Sequence, residues 1–259
     1  MNATLEAMAR ALFRDWFVDF GPTRAKIEGA APYLSPDLWS LFPDRLDAEG
    51  KPEGWETTTL GAVTSELRRG VSPKYTSVGG VMVLNQKCIR NREVNTAPAR
   101  FHDNAQKKVA DRQLRDGDIL VNSTGVGTLG RVAQLWKLQN PMIVDSHVTV
   151  VRPNPDRVSH SFLGVALTER EADIEALGEG STGQTELSRA RLAELNVLIP
   201  PLPVQSAFDS LAVPILNRME ANRAESRTLA QTRDLLLPRL MSGELRVADI
   251  APSERGAAA

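Results

Sequence analysis

The chain of 259 residues has one cysteine, three histidines and no long apolar run, and each shortage excludes a class of protein. The lone Cys88 excludes an internal disulfide framework and a structural zinc site built on cysteines. His102, His147 and His160 are scattered and never four residues apart, so we expect no metal centre. No apolar stretch approaches the roughly 18 residues that a membrane span needs, and the N-terminus lacks the basic region of a secretory signal. We therefore expect a cytoplasmic protein that does not bind a membrane.

Catalytic signatures are also scarce. The chain has no G-x-S-x-G nucleophile elbow, no Walker lysine and no Asp/Asn-Pro-Pro-aromatic pocket of an amino-methyltransferase. Asp145, Ser146 and His147 are consecutive, so as strand residues they cannot all face one site, and His147 is most simply a structural histidine. Asp44 and Glu49 imitate a nuclease motif, but they lie in a segment broken by proline and glycine that favours a surface turn. These observations leave few catalytic alternatives in the sequence.

Net charge is −1, but the charge is unevenly distributed along the chain. Residues 61–131 carry 12 Lys and Arg against 6 Asp and Glu, whereas the remaining residues carry 19 basic and 26 acidic side chains. A basic middle inside an acidic chain is typical of nucleic-acid binding. A solvated basic surface without a ligand is the other interpretation that charge alone allows.

The segment from Asn85 to Arg92 combines amide side chains with cations. Asn and Gln can pair with adenine, and Arg or Lys with guanine, in the major groove, while cations also hold phosphates. A polar loop without a ligand is the alternative. The candidates for DNA contacts in this segment are Asn85, Gln86, Lys87, Arg90 and Arg92, and Lys74, Arg68 and Arg69 are candidates for further phosphate contacts.

Helical patterns occur at both ends of the chain. Residues 2–17 are amphipathic, and the helix is expected to end near Gly21-Pro22. Its apolar face comprises Leu5, Met8, Leu12 and Trp16. Residues 204–241 contain a heptad seam that runs from Phe208 to Leu240, with Pro214 and Pro238 expected to disturb the helix. Asn222 and Ser226 lie within the seam and favour a partner helix over packing on the domain's own core.

The segment between these helices is rich in short β-type runs separated by turn signals. The runs include 81–84, 119–121 and 148–151, and helices are predicted over 161–177 and 186–195. Residues 21–54 contain five prolines and are expected to be irregular, with Trp39, Leu41 and Phe42 pinned onto a core. The mixture predicts an α+β fold.

Gly125, Gly127 and Gly130 have the G-x-G-x-x-G spacing of a dinucleotide-binding fingerprint, and Asp145 follows the first glycine by 20 residues. Such a fingerprint needs a crossover helix of about ten or more residues and then a parallel strand. Only residues 131–139 separate Gly130 from the turn signal Asn140-Pro141, which leaves little room. The spacing therefore favours a glycine-rich turn between two strands over a nucleotide site.

Six stretches, in order, resemble the DNA-specificity subunit of type I restriction–modification enzymes. They are LFRDWFVDFGPTRAK (12–26), PEGWETTTLGAV (52–63), RGVSPKYTSVGGVMVLNQKCIR (69–90), STGVGTLGRVA (123–133), IPPLPVQ (199–205) and LLLPRLMSGEL (235–245). They resemble the end of a spacer helix, the entry and body of a target-recognition domain, the exit into the next spacer helix and the usual end of the chain. Similar helix ends at Thr4 and Thr228 would then flank one recognition unit.

The resemblance implies an α+β protein with one β-rich target-recognition domain between coiled-coil spacer helices. The expected bounds are 1–20 for the N-terminal spacer helix, 21–54 for an irregular connector, 55–200 for the recognition domain, 201–243 for the C-terminal spacer helix and 244–259 for a flexible tail. Family members usually carry two recognition domains, so this chain resembles a half-subunit, either natural or truncated.

The resemblance also implies a non-catalytic subunit that uses no cofactor. It would recognise double-stranded DNA for a separate adenine-N6 methyltransferase subunit and, where one is present, a restriction or translocase subunit. The resemblance implies that Asn85, Gln86, Lys87 and Arg90 lie on or near the DNA-facing surface, and Ser123 and Thr124 are expected close to the DNA. Because one domain recognises half of a split site, we expect a homodimer or pairing with another half-subunit through helices 2–17 and 204–241. The alternatives are a nucleotide-binding oxidoreductase that uses residues 125–130 and a fragment without a DNA site that only modulates complex assembly.

Overall fold

The computed structural model describes residues 1–138, 140–180 and 185–245. The helices are α1 (Asn2–Phe17), α2 (Gly21–Ile27), α3 (Pro36–Ser40), α4 (His160–Thr168), α5 (Glu171–Ala176), α6 (Arg189–Ala193) and α7 (Leu202–Met241). The strands are β1 (Glu56–Thr59), β2 (Thr64–Arg69), β3 (Tyr75–Thr76), β4 (Val81–Leu84), β5 (Ile89–Arg90), β6 (Glu93–Val94), β7 (Arg100–His102), β8 (Ile119–Asn122), β9 (Val132–Gln134), β10 (Met142–Val144), β11 (Val148–Pro153) and β12 (Asn196–Ile199). The predicted α+β class is confirmed, while most of the predicted tail, 246–259, lies outside the described residues.

Two four-stranded sheets form the body of the protein. One has the order β2-β11-β8-β9, and the other has the order β10-β4-β7-β3, with β10 and β4 parallel. Successive residues of β8 face opposite sides of the first sheet, so Ile119 and Val121 belong to the core below the helices, while Leu120 packs towards the second sheet. Burial on both faces explains why β8 starts with three consecutive apolar residues, Ile119, Leu120 and Val121.

An aromatic core joins the helices from the two ends of the chain. Phe13, Trp16 and Phe17 of α1 pack against Phe162 of α4 and Phe208 of α7, with ring centroids 4.8 to 6.4 Å apart. Aromatic pairs at these separations contribute beyond their buried area. Because these rings also contact the sheet residues of the main core, they fix the helices relative to the β-rich body.

The predicted helix over 2–17 is confirmed, but its predicted face is partly wrong. Met8 is 53 % exposed, and the buried residues are Ala9, Phe13, Trp16 and Phe17. The stripe differs because α1 packs against both α7 and α4, which rotates its buried side towards the aromatic core. The helix ends at Phe17, and Gly21 begins α2 with Pro22 in its first turn, where a missing N–H costs little.

Two further helix predictions need correction. Residues 21–54 are not irregular throughout, since they include α2 and α3, although Phe42 is pinned in the core as expected. The single helix predicted over 161–177 is two helices, α4 and α5, because Arg170 has a non-helical backbone conformation (φ −112°, ψ 22°) between them.

The two halves of helix α7 differ in how much of their surface is buried. Its buried residues, Val204, Gln205, Ala207, Phe208, Ala212 and Met219, all lie in the first half. Asn222 donates its amide N–H to Oδ1 of Asn2 at 2.8 Å, so the partner helix expected for the first part of the seam is the chain's own α1. Residues 224–241 extend beyond α1, and Leu229, Leu235, Leu237 and Met241 are exposed there. Pro214 and Pro238 lie within the helix without ending it.

The glycine-rich segment connects two adjacent antiparallel strands, β8 and β9. The interpretation as a turn between strands is therefore confirmed. A nucleotide-binding crossover requires a helix and a parallel strand at this point, so the oxidoreductase interpretation of residues 125–130 is wrong. Gly130 (φ +81°) lies so close to α5 that an added Cβ would be 2.6 Å from the Glu175 nitrogen, which explains one of the three glycines. Among the described residues, no helix is long and apolar enough to cross a membrane.

Candidate nucleic-acid interface

A polar cleft opens at the edge of the second sheet, where the loops that follow β4 and β10 meet β3 and the start of β7. Its lining residues are Tyr75, Asn85, Gln86, Lys87, Pro98, Arg100, Asp145 and His147, and we call this surface the polar cleft. The parallel pairing of β10 with β4 brings the ends of these strands together, because Val144 is opposite Leu84. The residues that follow each strand, Asp145 and Asn85, therefore reach the same edge of the sheet.

Asn85 and Gln86 form an amide corner of the polar cleft. Asn85 caps the 3₁₀ turn by accepting the Lys87 backbone N–H at 2.8 Å, and its own amide donates to the Pro98 carbonyl at 2.9 Å. Gln86 accepts the Thr124 hydroxyl through Oε1 at 3.2 Å. An added Cβ at Gly125 would lie 3.0 Å from Gln86 Nε2, so this glycine lets the turn pack on the amide.

Tyr75 and Arg100 form another wall of the polar cleft. The Arg100 guanidinium lies over the Tyr75 ring, 3.3 Å from the centroid, an arrangement that keeps the planar cation in one orientation. Burial raises the pKa of the Tyr75 hydroxyl, the charge of Asp145 raises that pKa further, and Arg100 lowers it. Tyr75, Arg100 and Asp145 all line this one cleft.

Asp145 forms the floor of the polar cleft and is only 4 % exposed. Its Oδ1 accepts the backbone N–H of His147 at 2.9 Å, and burial raises the pKa of its carboxyl. Gly70 makes room for the Asp145 backbone, since an added Cβ would lie 2.0 Å from the Asp145 carbonyl oxygen. In the ranges that the structure describes, Asp145 has no ion-pair partner.

Exposed cations lie near the polar cleft, but none of those that the structure describes forms an ion pair with Asp145. Lys74, Lys87, Arg90 and Arg100 are exposed, and none forms an ion pair with any described residue. Three of them, Lys74, Lys87 and Arg100, lie on or beside residues of the cleft lining. Exposed, unpaired cations next to amides are the groups that protein surfaces use for phosphates and base edges.

The structure distributes the residues predicted near DNA over several places. Asn85, Gln86 and Lys87 line the polar cleft, and Thr124 contacts it through Gln86 and through His147 Nδ1 at 2.8 Å. Ser123 is fully buried and bonds to the Thr149 hydroxyl at 2.6 Å.

Three predicted cations are held by internal ion pairs. Arg92 pairs with Glu6 of α1 and lies 3.8 Å from Glu169, away from the cleft. Arg68 is buried beside Glu66, and Arg69 pairs with Glu186 at 2.7 Å, so neither of the suggested phosphate contacts is free. Sequence reasoning missed Tyr75, Arg100 and Asp145, and it described His147 as structural although this side chain is exposed at the cleft.

Comparisons with known proteins agree on one family. The protein-family model described as the type I restriction modification DNA specificity domain matches residues 52–217 of this chain. The chain is 25 % identical over 292 residues to the type I restriction enzyme HindI specificity subunit of Haemophilus influenzae, covering 95 % of this chain and 62 % of the relative. It is 23 % identical over 255 residues to the MjaIX specificity subunit of Methanocaldococcus jannaschii, covering 96 % and 55 %. The chain thus spans little more than half the length of these relatives.

Two solved structures share the fold. The S subunit of a type I restriction–modification system from M. genitalium superposes with a TM-score of 0.58 and 16 % identity, over 92 % of this chain and 55 % of that one. The HsdS subunit from Thermoanaerobacter tengcongensis gives a TM-score of 0.50 and 17 % identity, over 94 % and 57 %. At these identities the likeness supports the common architecture of helices and sheets.

Proposed function

Because the chain belongs to the family of type I restriction modification DNA specificity domains, we propose that it recognises part of a duplex DNA target and gives a methyltransferase its sequence specificity. Residues 55–200 act as the recognition domain, and the helices within 1–20 and 201–243 act as spacers. The chain contributes no catalytic group, and methyl transfer to adenine N6 and any cleavage take place on separate cytoplasmic subunits.

The observation that carries this proposal is the polar cleft. It combines cations that pair with no described residue, amides and an aromatic wall at one edge of the second sheet. Its amides and Lys87 lie on a loop held by that sheet, and such loops on a scaffold are where binding residues concentrate. Lys74 and Lys87 suit phosphate contacts, while Gln86 and Arg100 suit base edges. Arg92 and Ser123 take no part, because their side chains are already bonded inside the protein.

The test is a genome-wide map of methylated adenines in cells that express the chain together with its methyltransferase. The wild-type chain should yield one motif, and Lys87→Ala combined with Arg100→Ala should relax or abolish it. Arg115→Ala is the matched control, because Arg115 is also an exposed cation of the basic middle but lies at another pocket beside Asp118. An unchanged motif with the double variant would instead favour a chain that only modulates assembly.

We further propose that the chain acts with a second recognition unit, either another copy of itself or a different half-subunit. The exposed apolar residues of α7 beyond residue 224 support this proposal, since no described residue buries these side chains. Light scattering of the complex with the methyltransferase should show two recognition units. A complex that always holds one copy of this chain and no other reader would contradict pairing.

A further inference from the structure

The polar cleft contains a buried acid that the binding of phosphates does not explain. Asp145 is as enclosed as a core residue, yet it faces a surface whose other charges are positive. A carboxylate repels phosphate, and an isolated buried charge is costly unless it is paired. An acid in this position therefore needs a ligand that donates a hydrogen bond.

A second buried aspartate of the same body shows what a purely structural acid looks like here. Asp118 is 1 % exposed, and both of its oxygens accept the Arg152 guanidinium at 2.7 Å. The Asp145 carboxylate accepts one internal hydrogen bond, from the His147 backbone N–H to Oδ1, and its Oδ2 accepts none from any described residue. The free oxygen belongs to a residue that lines an open cleft, so a donor from outside can reach it.

The chemistry of base edges supplies such a donor. In the major groove only the exocyclic amino groups, N4 of cytosine and N6 of adenine, donate hydrogen bonds, and Asp accepts them. Guanine presents two acceptors, O6 and N7, to which an arginine fork bonds bidentately. A cytosine–guanine pair thus offers one donor beside two acceptors, which complements an Asp145 acceptor beside an Arg100 donor.

We propose that Asp145 is a specificity-determining acceptor for the exocyclic amino group of one base in the target, with Arg100 as the donor to a neighbouring acceptor. This inference rests on the proposed function, because it assumes that the polar cleft faces DNA. Arg100 and Asp145 line the same cleft, and the stacking of Arg100 on Tyr75 holds the planar fork there. Gly70 is a positioning residue, since it allows the Asp145 backbone to approach the end of β2.

The experiment selects sequences from random duplex DNA with the full 259-residue chain assembled with its methyltransferase subunit and any second recognition unit. The wild type should prefer one amino-bearing base, cytosine or adenine, at one position of its target. Asp145→Asn keeps the shape of the side chain but replaces one acceptor by a donor, so preference at that position should fall about tenfold or more. Asp118→Asn is the matched control, and it should leave the preference unchanged.

Modified duplexes then distinguish the two sources of the amino group. If the base is cytosine, an N4-methyl group at that position should weaken binding by the wild type, and if it is adenine, an N6-methyl group should do so. Asp145→Asn should respond less than the wild type to the same modification.

The outcomes separate the inference from the proposed function. A wild-type chain that selects no sequence would overturn the function itself. A folded Asp145→Asn chain that selects the wild-type sequence with undiminished preference would overturn the inference and leave the function intact. Equal loss of preference at every position would also overturn it, because it would reveal a general effect on the shape of the cleft.

Discussion

Asp118 and Asp145 are both buried aspartates of the β-rich body, and they differ in what surrounds them. Asp118 belongs to a closed network in which Arg152 bonds to it and to Glu66, and Glu66 also pairs with Arg68. Within the described ranges, the carboxylate of Asp145 accepts only the His147 backbone N–H, and it faces an open cleft. Charge in the first region holds strands β2, β8 and β11 together, whereas charge in the second region is left available for a ligand.

The largest expected effect comes from breaking the closed network. Asp118→Asn leaves the nearly buried Arg152 with less compensation, so the free energy of unfolding should fall by about 3 kcal/mol. Urea denaturation at neutral pH measures this loss. Base preference should not change, and a change in preference without loss of stability would contradict the structural role of the network.

Arg100→Lys tests the contribution of the Arg100 guanidinium to base recognition in the open cleft. It keeps the positive charge but removes the planar guanidinium that lies over Tyr75. Lysine does not replace arginine where the side chain stacks on a ring or binds bidentately. Discrimination against the wrong base at one target position should fall by about 2 kcal/mol. Competition binding with single-base target variants measures it, and an effect spread evenly over all sequences would instead indicate a phosphate contact.

Asp145→Asn should stabilise the free protein, in contrast to Asp118→Asn. Burial raises the pKa of the Asp145 carboxyl in the folded state, so the wild type loses stability as pH rises through that raised value. The variant avoids this loss and should gain about 1 kcal/mol at neutral pH. Denaturation curves across pH should show the gain disappearing below the ordinary aspartate pKa of about 3.9, and a loss at neutral pH would indicate an unrecognised partner.

Lys87→Ala should have the smallest effect. Its ammonium makes no ion pair with a described residue, so stability should stay within about 0.5 kcal/mol of the wild type. Loss of one phosphate contact should make the slope of log affinity against log salt shallower by about one. Arg115→Ala serves as the control with an unchanged slope, and equal slopes for both variants would remove Lys87 from the interface.

Local patterns in the sequence predicted the helices and strands better than they predicted the residues of the polar cleft. The period of apolar residues located α1 and the strands around 81–84, 119–121 and 148–151. The missing room after Gly130 correctly favoured a turn between strands over a nucleotide crossover. These features depend on residues close together in the chain, where side-chain period and turn chemistry are decisive.

The polar cleft depends on long-range pairing that no local pattern contains. Asp145 meets Asn85 only because β10 lies parallel to β4, and Arg100 joins them because β7 pairs with β4 on its other side. The same limit explains Arg92, whose charge was visible in the sequence but whose partner Glu6 lies in α1. Burial of Ser123 follows from its position at the end of the central strand β8.

Hydrogen exchange of the chain with and without its selected duplex tests the central claim most directly. If the polar cleft recognises DNA, backbone exchange should slow on binding in the segments around Tyr75, Lys87, Arg100 and His147. Exchange around Asp118 and Arg152 should not change, because that network is closed in both states. Protection confined to other surfaces, with the cleft segments unaffected by a duplex that binds, would contradict the account.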